Sequence, residues 1–478
     1  MYWYDLETFG IDPREYRIAQ FAGLRTDLDL NIVDDPLVMY CRASDDCLPD
    51  PNSCLITGIT PQKANGLGMI ESEFIERINE QFARPNSCVV GYNNIRFDDE
   101  FVRYTLYRNF LDPYAREWQN GNSRWDIIDM VRLTWALRPD GINWPTHDDG
   151  SPSFKLEDLT RVNHIKHEAA HDAMSDVYAT IAMARLIRDK QPRLFDFVFA
   201  NRSKQALGKL LNTVQAKPVV HVSAMYSSSR KCTALVLPLV PHPVNKNAVV
   251  VYDLSEDPEP LFQLSAAEIK QRLYTPASEL EAAGLARIPL KLVHINKSPI
   301  VVPLSVLDEA ASRRVGLDKQ KCAQNRERLL AGQGLSSKMR HKLQQVYREN
   351  GFAPDADPDH GLYNGFFNDA DRRKMQSIRR STPKQLAELD CVFDDRRLPE
   401  MLFRYRARNF YESLNEDEKQ QWQEHCYEKL TRASANAMTV LRYQEILRDL
   451  RRQHPGKAAL LDELQAYGES LLPQLEPA

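Results

Sequence analysis

The chain has 478 residues, which is too long for one typical hydrophobic core and predicts about two to four domains. Its apolar content of 43% and charged content of 27% are ordinary for a globular protein, and these values exclude a fibrous or a highly charged disordered chain. The net charge of −4 provides no global basic field, so a nucleic-acid partner would need a local basic groove. We find no secretory signal pattern and no apolar run of about 18 residues, and we expect neither secretion nor a membrane span.

The eight cysteines include no Cys-x-x-Cys pair and no Cys/His spacing that fits a zinc site. This usage predicts free thiols in a reducing compartment, and therefore a cytoplasmic protein.

Two carboxylates, Asp5 and Glu7, lie one residue apart at the end of the first strand candidate, Met1–Leu6. Side chains alternate along a strand, so both carboxylates point to the same face. Two like charges on a buried face repel each other and lose hydration, and a divalent cation between them would relieve both costs. A solvated strand edge is the alternative interpretation, although the neighbouring residues Trp3 and Phe9 argue against a wet strand.

Residues 1–190 alternate between strand and helix patterns, which predicts a mixed sheet flanked by helices. The other strand candidates are Ile18–Arg25, Leu37–Cys41 and Cys88–Tyr92. The helix candidates are Glu71–Phe82, a helix that begins near Asp98, Asp126–Leu137 and Asp172–Arg188.

A boundary is predicted at Gln191-Pro192-Arg193, because β-branched runs follow it and indicate a small β-rich domain. These runs are Val219–Val222, Thr233–Leu239, Ala248–Asp253 and Leu290–Ile295, with a helical insertion at Ala266–Leu273. Gly351–Gly361 has the composition of a linker, and only helical patterns follow it. The helix candidates there are Asp369–Arg380, Pro383–Leu389, Leu398–Asn409, Asn415–Leu430, Ala437–Arg452 and Lys457–Leu472. Asn415 and Glu418 have the spacing of a capping box.

Three further positions in the first region have chemical potential. Asp98 follows a short apolar strand and an Asn-rich turn, while His171 and Asp176 stand at the start of the last helix of this region. Positions five apart on a helix differ by roughly 140°, so His171 belongs to the entry turn and Asp176 to a helix face. Taken singly, each has a plain alternative: a charge at a helix start, a surface histidine, or a polar helix face.

Together these residues resemble the DEDDh exonuclease superfamily, which has Asp-x-Glu on a first strand, a later Asp, and His-x4-Asp on a final helix. Longer stretches resemble bacterial exonuclease I more specifically, and the resemblance covers essentially the whole chain. These stretches are residues 91–100, 122–126, 138–145, 170–180, 291–297 and 362–367.

The resemblance implies a multidomain α/β protein with three parts. They are a ribonuclease-H-like nuclease domain with a mixed sheet, an SH3-like β-barrel domain, and an all-α C-terminal domain. We place them at residues 1–190, 191–348 and 352–478. The implied activity is processive 3′→5′ degradation of single-stranded DNA to 5′-mononucleotides in DNA repair or recombination, by a protein that we expect to be a monomer.

The resemblance also implies the site chemistry. Asp5, Glu7 and Asp176 would hold one Mg²⁺, Asp5 would bridge to a second, and Asp98 would assist directly or through water. Oxygen ligands without a nearby cysteine favour Mg²⁺ or Mn²⁺ over zinc. His171 would act as the general base.

Basic and aromatic residues interleave between Asp98 and Trp125, a pattern that suits single-stranded DNA because cations follow phosphates and rings stack on bases. Some of these rings must instead belong to the core of a helix-containing fold. The predicted DNA contacts are Arg103, Tyr114, Trp118, Arg132 and Lys155, together with Glu7, and with Thr8 and Phe9 beside the terminal nucleotide. Lys155 stands where exonuclease I can carry an arginine near the phosphate, and lysine keeps the charge without the bidentate fork.

A second basic and aromatic segment, residues 403–410, has two interpretations: a wall of a DNA channel, or a solvated helix face. The resemblance also implies docking of the acidic C-terminal tail of single-stranded-DNA-binding protein, for which Arg138 and Arg314 are candidates. Only four residues precede Asp5, fewer than in family members, which indicates either an upstream start or an exposed strand end.

Two rival functions stay open. An RNA-directed or proofreading-type exonuclease could use the same carboxylates, since they do not contact the 2′-hydroxyl. A non-catalytic adaptor could keep a nuclease scaffold, although the presence of all four carboxylates and His171 argues against it.

Overall fold

The computed structural model describes residues 1–167, 172–331, 335–348, 355–432 and 438–475. The chain divides into two compact units. Unit 1 contains residues 1–123, 167–179 and 353–478, and unit 2 contains residues 124–166 and 180–352. Within the described ranges, no helix combines the length and the apolar character that a membrane crossing requires.

The first 190 residues form strands and helices in alternation. The strands are β1 (Tyr2–Thr8), β2 (Ile18–Arg25), β3 (Leu37–Tyr40), β4 (Cys88–Gly91) and β5 (Ser123–Asp126). The helices are α1 (Pro51–Thr57), α2 (Pro61–Leu67), α3 (Glu71–Phe82), α4 (Asp98–Arg108), α5 (Ile127–Leu137), α6 (Leu156–Val162) and α7 (Ala173–Lys190). The predicted strands and helices of this region are confirmed to within two residues at each end, whereas α1, α2, α6 and β5 were not predicted.

In unit 1 the strands run in the order β3-β2-β1-β4, with β1 antiparallel to β2 and parallel to β4. One face of β1 carries Tyr2 and Tyr4, whose rings lie 5.7 and 4.9 Å from the ring of Phe82 on α3. The other face carries Asp5 and Glu7, because side chains alternate along the strand. The strand that bears the predicted metal pair is thus an inner strand that is anchored by aromatic packing.

The start of β1 is buried, so the predicted alternative of an exposed strand end is wrong. Met1 is buried, and its amino group donates a hydrogen bond to the Thr26 carbonyl oxygen at 2.7 Å. The indole of Trp3 is also buried and donates to Thr26 Oγ1 at 2.8 Å.

The β-rich region lies in unit 2 and forms a five-stranded antiparallel sheet in the order β10-β6-β7-β8-β9. The strands are β6 (Val219–Val222), β7 (Thr233–Pro241), β8 (Ala248–Asp253), β9 (Leu290–His294) and β10 (Ile300–Pro303). The helices between residues 191 and 348 are α8 (Pro192–Ala200), α9 (Lys204–Leu210), α10 (Glu259–Gln263), α11 (Ala266–Tyr274), α12 (Ala277–Ala282), α13 (Glu309–Arg314), α14 (Lys319–Leu330) and α15 (Ser337–Val346). All four predicted strands and the helical insertion are confirmed, and β10 was not predicted.

The C-terminal part of unit 1 is helical, as predicted. Its helices are α16 (Asp369–Arg380), α17 (Pro383–Ala387), α18 (Leu398–Asn409), α19 (Glu416–Thr431), α20 (Val440–Gln453) and α21 (Ala458–Leu475). The capping box of Asn415 and Glu418 is confirmed at the start of α19. Apolar residues of these helices, among them Tyr443 and Leu447, join one core with Phe74 and Phe82 of α3.

Buried charges also connect the two ends of the chain within unit 1. Acidic and basic side chains alternate through Glu71, Arg17, Asp46, Arg408, Asp359 and Arg404. The successive N–O distances are 3.8, 3.6, 2.7, 2.6 and 3.0 Å. We refer to these six residues as the ionic chain.

The ionic chain corrects two predictions. The side chains of Arg404 and Arg408 of the segment 403–410 are buried in these ion pairs, and Arg406 pairs with Glu418 at 2.6 Å. This segment is therefore neither a solvated helix face nor a basic wall for DNA. The predicted linker Gly351–Gly361 extends too far, because Asp359 is buried in the ionic chain. Residues 351–354 lie outside the described ranges.

Candidate active site

Three of the predicted carboxylates converge in unit 1. One ligand oxygen each from Asp5, Glu7 and Asp176 lies within 4.8 Å of the other two. Asp5 and Glu7 come from β1, and Asp176 lies in the first turn of α7. Carboxylate oxygens at this spacing are the ligand set that a hard divalent cation prefers.

The start of α7 is fixed by Asp172. Its carboxylate accepts a hydrogen bond from the Ser175 backbone N–H at 3.1 Å, and its carbonyl oxygen accepts from the Asp176 N–H at 3.0 Å. The first bond satisfies an N–H group that has no partner within the helix, and the second is the first backbone bond of the helix itself. They also set the position of Asp176 relative to the helix axis.

Asp98 begins α4 after a tight turn that follows β4. Asn93 adopts a positive φ of 63°, and a Cβ on Gly91 would lie only 2.7 Å from the Cβ of Asn94. Glycine is therefore required at this close approach. Asp98 is buried, and its charge acts on both Asp5 and Glu7.

The adjacent Asp99 has a different, structural role. It accepts hydrogen bonds from Arg116 Nη2 at 2.6 Å and from the Tyr4 hydroxyl at 2.9 Å. Asp99 and Arg116 are both fully buried. Asp98 thus belongs to the carboxylate cluster, whereas Asp99 links α4 to Tyr4 of β1 and to Arg116.

The electrostatics of the cluster are those of an anionic site that favours a cation. Burial, followed by the charges of Asp98, Glu7, Asp176 and Asp172, raises the pKa of Asp5 well above its usual value. Burial, followed by the charges of Asp176, Asp98 and Asp172, raises the pKa of Glu7 to about 8. Both shifts express the cost of burying the carboxylates and then the repulsion among them, and a divalent cation would oppose both.

The predicted general base, His171, lies outside the described residues. A different histidine, His167, contacts the cluster: its Nε2 lies 2.5 Å from Asp176 Oδ1. Sequence reasoning missed His167, because its spacing of nine residues from Asp176 matches no recognised pattern.

The predicted DNA contacts in unit 1 occupy different environments. Thr8 and Phe9 are buried, and Thr8 Oγ1 donates to the Gly10 carbonyl oxygen at 2.7 Å. Arg103 is buried between Glu117 at 2.7 Å and Glu100 at 2.8 Å, and a contact with DNA would require these pairs to open. Trp118 is 66% exposed and is available for stacking.

Tyr114 lies partly buried beneath the guanidinium group of Arg103, which is 5.4 Å from the centre of the ring. This contact occupies one side of the ring.

In unit 2, Arg132 is buried and pairs with Asp129 at 2.6 Å, whereas the side chain of Lys155 is 68% exposed. Arg138 pairs with Asp308 at 3.1 Å and donates to the Val306 carbonyl oxygen, and Arg314 donates to the carbonyl oxygens of Ala136 and Leu137. Lys155 is thus the predicted phosphate contact in this unit that needs no rearrangement.

Three family models match the chain. Residues 2–184 match the model described as Exonuclease, residues 202–349 match the Exonuclease I SH3-like domain, and residues 356–471 match the Exonuclease I C-terminal domain. Exodeoxyribonuclease I of Haemophilus influenzae is 46% identical to this chain over 98% of both proteins. The chain belongs to the exonuclease I family.

Solved structures of exonuclease I agree with this membership. Escherichia coli exonuclease I in complex with a dA16 oligonucleotide has a TM-score of 0.93 and 45% identity, over 98% of this chain and 99% of that chain. The zinc-bound form of the E. coli enzyme with single-stranded DNA has a TM-score of 0.91 and 44% identity, over 98% and 99%. A complex of exonuclease I with SSB-Ct has a TM-score of 0.90 and 44% identity, over 98% of each chain. The predicted fold, with its exonuclease, SH3-like and C-terminal helical parts, is confirmed.

Proposed function

We propose that this exonuclease I family member degrades single-stranded DNA from the 3′ end by metal-assisted hydrolysis of phosphodiester bonds, releasing 5′-mononucleotides processively. The convergence of Asp5, Glu7 and Asp176 within 4.8 Å carries the proposal, because it supplies the ligands for a divalent cation. Retention of these carboxylates and of Asp98 also supports an enzyme over the adaptor alternative.

The residues present fit a divalent metal. Asp5, Glu7 and Asp176 would hold one Mg²⁺, and Asp5 with Asp98 would hold a second, with Mn²⁺ as a substitute. When bound, two such ions supply an acidified water and charge stabilisation at the leaving 3′-oxygen. The four carboxylates fix where the scissile phosphate is placed.

We propose His171 as the group that takes the proton of the attacking water. An imidazole titrates near neutral pH, and a positioned general base typically contributes about 10²–10⁴-fold to the rate. It precedes Asp176 by five residues in the sequence, as the His-x4-Asp pattern of the DEDDh superfamily implies.

For the substrate, we propose that Trp118 stacks on a base and that Lys155 contacts a phosphate, since both side chains are exposed. Thr8 and Phe9 follow the metal pair directly and would contact the terminal nucleotide. The single-stranded DNA and SSB-Ct complexes of exonuclease I support the same partners for this chain.

We further propose a cytoplasmic monomer that acts in DNA repair, with domains at 1–190, 191–348 and 352–478. The three family models support this division, since they match 2–184, 202–349 and 356–471. Arg138 and Arg314 remain the proposed contacts for the SSB tail, although each already binds backbone carbonyl groups of unit 2.

The direct test is digestion of 5′-labelled single-stranded DNA with and without Mg²⁺, with 3′-blocked and duplex DNA as controls. We expect stepwise shortening from the free 3′ end only when Mg²⁺ is present. Asp5→Ala should lose activity by several orders of magnitude while it still binds DNA, and the exposed Asp35→Ala is the matched control. Cleavage by Asp5→Ala within tenfold of the wild-type rate would contradict the metal-ligand role.

Two further comparisons test the base and the substrate class. His171→Ala should lower the rate and remove the limb of the pH–rate profile that reports the base, and an unchanged profile would remove it from this role. Rates on matched DNA and RNA oligomers should favour DNA. Equal or faster digestion of RNA would support the RNA-directed alternative instead.

A further inference from the structure

The contact between His167 and Asp176 is the observation from which we argue. Nε2 of His167 lies 2.5 Å from Oδ1 of Asp176, and the two side chains are 6% and 18% exposed. A carboxylate that binds a cation is ionised and can only accept hydrogen bonds, so the ring nitrogen donates. The bond thus occupies one oxygen of the carboxylate.

The direction of this bond matters for Asp176 because the residue must face two other carboxylates. Its ligand oxygen lies within 4.8 Å of those of Asp5 and Glu7, and the repulsion among the three favours rotation of the side chain away from the cluster. The buried His167, bonded to one oxygen of the Asp176 carboxylate, restrains this rotation. Hydrogen bonds of this kind to metal ligands typically change metal affinity or activity by about 10–100-fold.

We propose that His167 is a positioning residue of the active site. It holds Asp176 through Oδ1 so that the remaining oxygen is presented, together with Asp5 and Glu7, to a divalent cation. The inference rests on the proposed function. The two histidines then have separate roles: His167 orients a metal ligand, and His171 takes a proton.

The test measures Mn²⁺ binding to the full-length, DNA-free protein by electron paramagnetic resonance. His167→Ala should weaken Mn²⁺ binding about 10–100-fold. His167→Gln should restore most of the affinity, since its amide nitrogen can reach the position of Nε2, whereas the shorter His167→Asn should not. His164→Gln changes an exposed histidine nearby in the sequence and is the matched control.

Activity provides a second readout. The Mg²⁺ concentration for half-maximal rate should rise in His167→Ala and His167→Asn, while the KM for DNA and the shape of the pH–rate profile at saturating Mg²⁺ stay as in the wild type. A merely structural role would change thermal stability without shifting the Mg²⁺ dependence, so melting temperatures are recorded for each variant.

Two results would overturn the proposal: Mn²⁺ affinity of His167→Ala within twofold of the wild type, or equal affinities of the Gln and Asn variants. The second comparison holds even if His167→Ala fails to fold, because it is made between two polar substitutions. Failure of the proposed function is a separate outcome, in which the wild type binds Mn²⁺ but does not shorten single-stranded DNA.

Discussion

Glu7 shows how burial beside other acids makes a carboxylate unfavourable in the folded protein. It is buried on an inner strand beside other acids, and its pKa rises to about 8 because of burial and then of the charges of Asp176, Asp98 and Asp172. An ordinary glutamate titrates near 4.5, so this carboxyl holds its proton far more tightly in the fold than in the unfolded chain. This balance is the one expected of a residue that binds a cation, as we propose for Glu7.

The sign of this shift predicts how the metal-free protein responds to pH. The contribution of Glu7 to the free energy of unfolding is full below pH about 4.5 and is lost as the pH rises through about 8. In EDTA, the urea midpoint should therefore fall between pH 5 and pH 8.5, and Glu7→Gln should show a shallower fall. Mg²⁺ at 100 times its Kd should raise the wild-type free energy of unfolding at pH 8 by about 2.7 kcal/mol, and the urea midpoint should rise with it. An equal pH slope in Glu7→Gln would contradict this account.

Asp46 shows the opposite balance, since its charge is paired. Burial acts to raise its pKa, but the charges of Arg408 and Lys429 outweigh burial and hold the pKa well below its usual value. Its carboxylate lies 2.7 Å from Arg408 and 2.9 Å from Lys429.

Asp46→Ala would remove the carboxylate that pairs with Lys429 and leave buried Arg408 with Asp359 as its remaining acid. We expect a loss of about 3–5 kcal/mol in the free energy of unfolding, measured by urea denaturation at pH 7. The exposed Asp35→Ala should change it by less than about 0.5 kcal/mol. A loss below 1 kcal/mol in Asp46→Ala would show that the ionic chain tolerates an unpaired member.

For single residues, the sequence predicts the carboxylates of the proposed metal site but not the side chains that hold such residues in place. Asp5, Glu7, Asp98 and Asp176 belong to a pattern of residue types at characteristic spacings. The bond between His167 and Asp176 joins side chains nine residues apart, a spacing that no local pattern encodes. The burial of Arg103 likewise depends on Glu117, which is brought to it by the turn between the two residues.

At the scale of elements, α3 shows why so many boundaries could be predicted. Phe74, Ile78 and Phe82 recur at helical spacing, and all three are fully buried beneath the sheet of unit 1. α1 and α2 were missed because each has only seven residues, too few for a periodic signal. Their ends did carry a signal, since Asp50-Pro51 and Thr60-Pro61 are N-cap and first-turn proline pairs.

Phe82 offers a test of how α3 supports β1, the strand that carries Asp5 and Glu7. Its ring packs against those of Tyr2, Tyr4 and Phe21 at 5.7, 4.9 and 6.0 Å. Phe82→Ala should lower the free energy of unfolding by about 3–5 kcal/mol because it opens a cavity under β1. The exposed Glu80→Ala on the same helix is the control and should be nearly neutral. A change below 1 kcal/mol in Phe82→Ala would show that β1 does not depend on this contact.

Helix α18 shows where prediction from a pattern failed. A run of arginines and aromatics is typical of a surface that binds nucleic acid, yet Arg404, Arg406 and Arg408 are all buried in ion pairs. One of the acids that neutralise them, Asp46, lies 362 residues before Arg408 in the sequence. Charge alone does not distinguish a phosphate contact from a buried pair whose partner is remote.

At the scale of the whole molecule, unit 1 joins the first 123 residues to the last 126 through a shared apolar core and the ionic chain. We expect these segments to open together. In hydrogen exchange followed by mass spectrometry, peptides from β1 and from α20 should exchange with similar free energies of opening, and Asp46→Asn should lower both. Exchange of α20 at a much lower free energy than β1 would contradict a single cooperative body.

The ionic chain also bears on how such a protein can be altered by recombination. A fragment ending near residue 190 would retain Glu71, Arg17 and Asp46 but lose Arg408 and Lys429. Asp46 would then keep its pair with Arg17 at 3.6 Å and lose its two shorter ion pairs. For this reason we do not expect residues 1–190 to fold stably without the C-terminal helices. A chimera that exchanges the terminal helices for those of a relative should fold only when the incoming segment carries the matching cations for Asp46, so the two ends of the gene are constrained to change together.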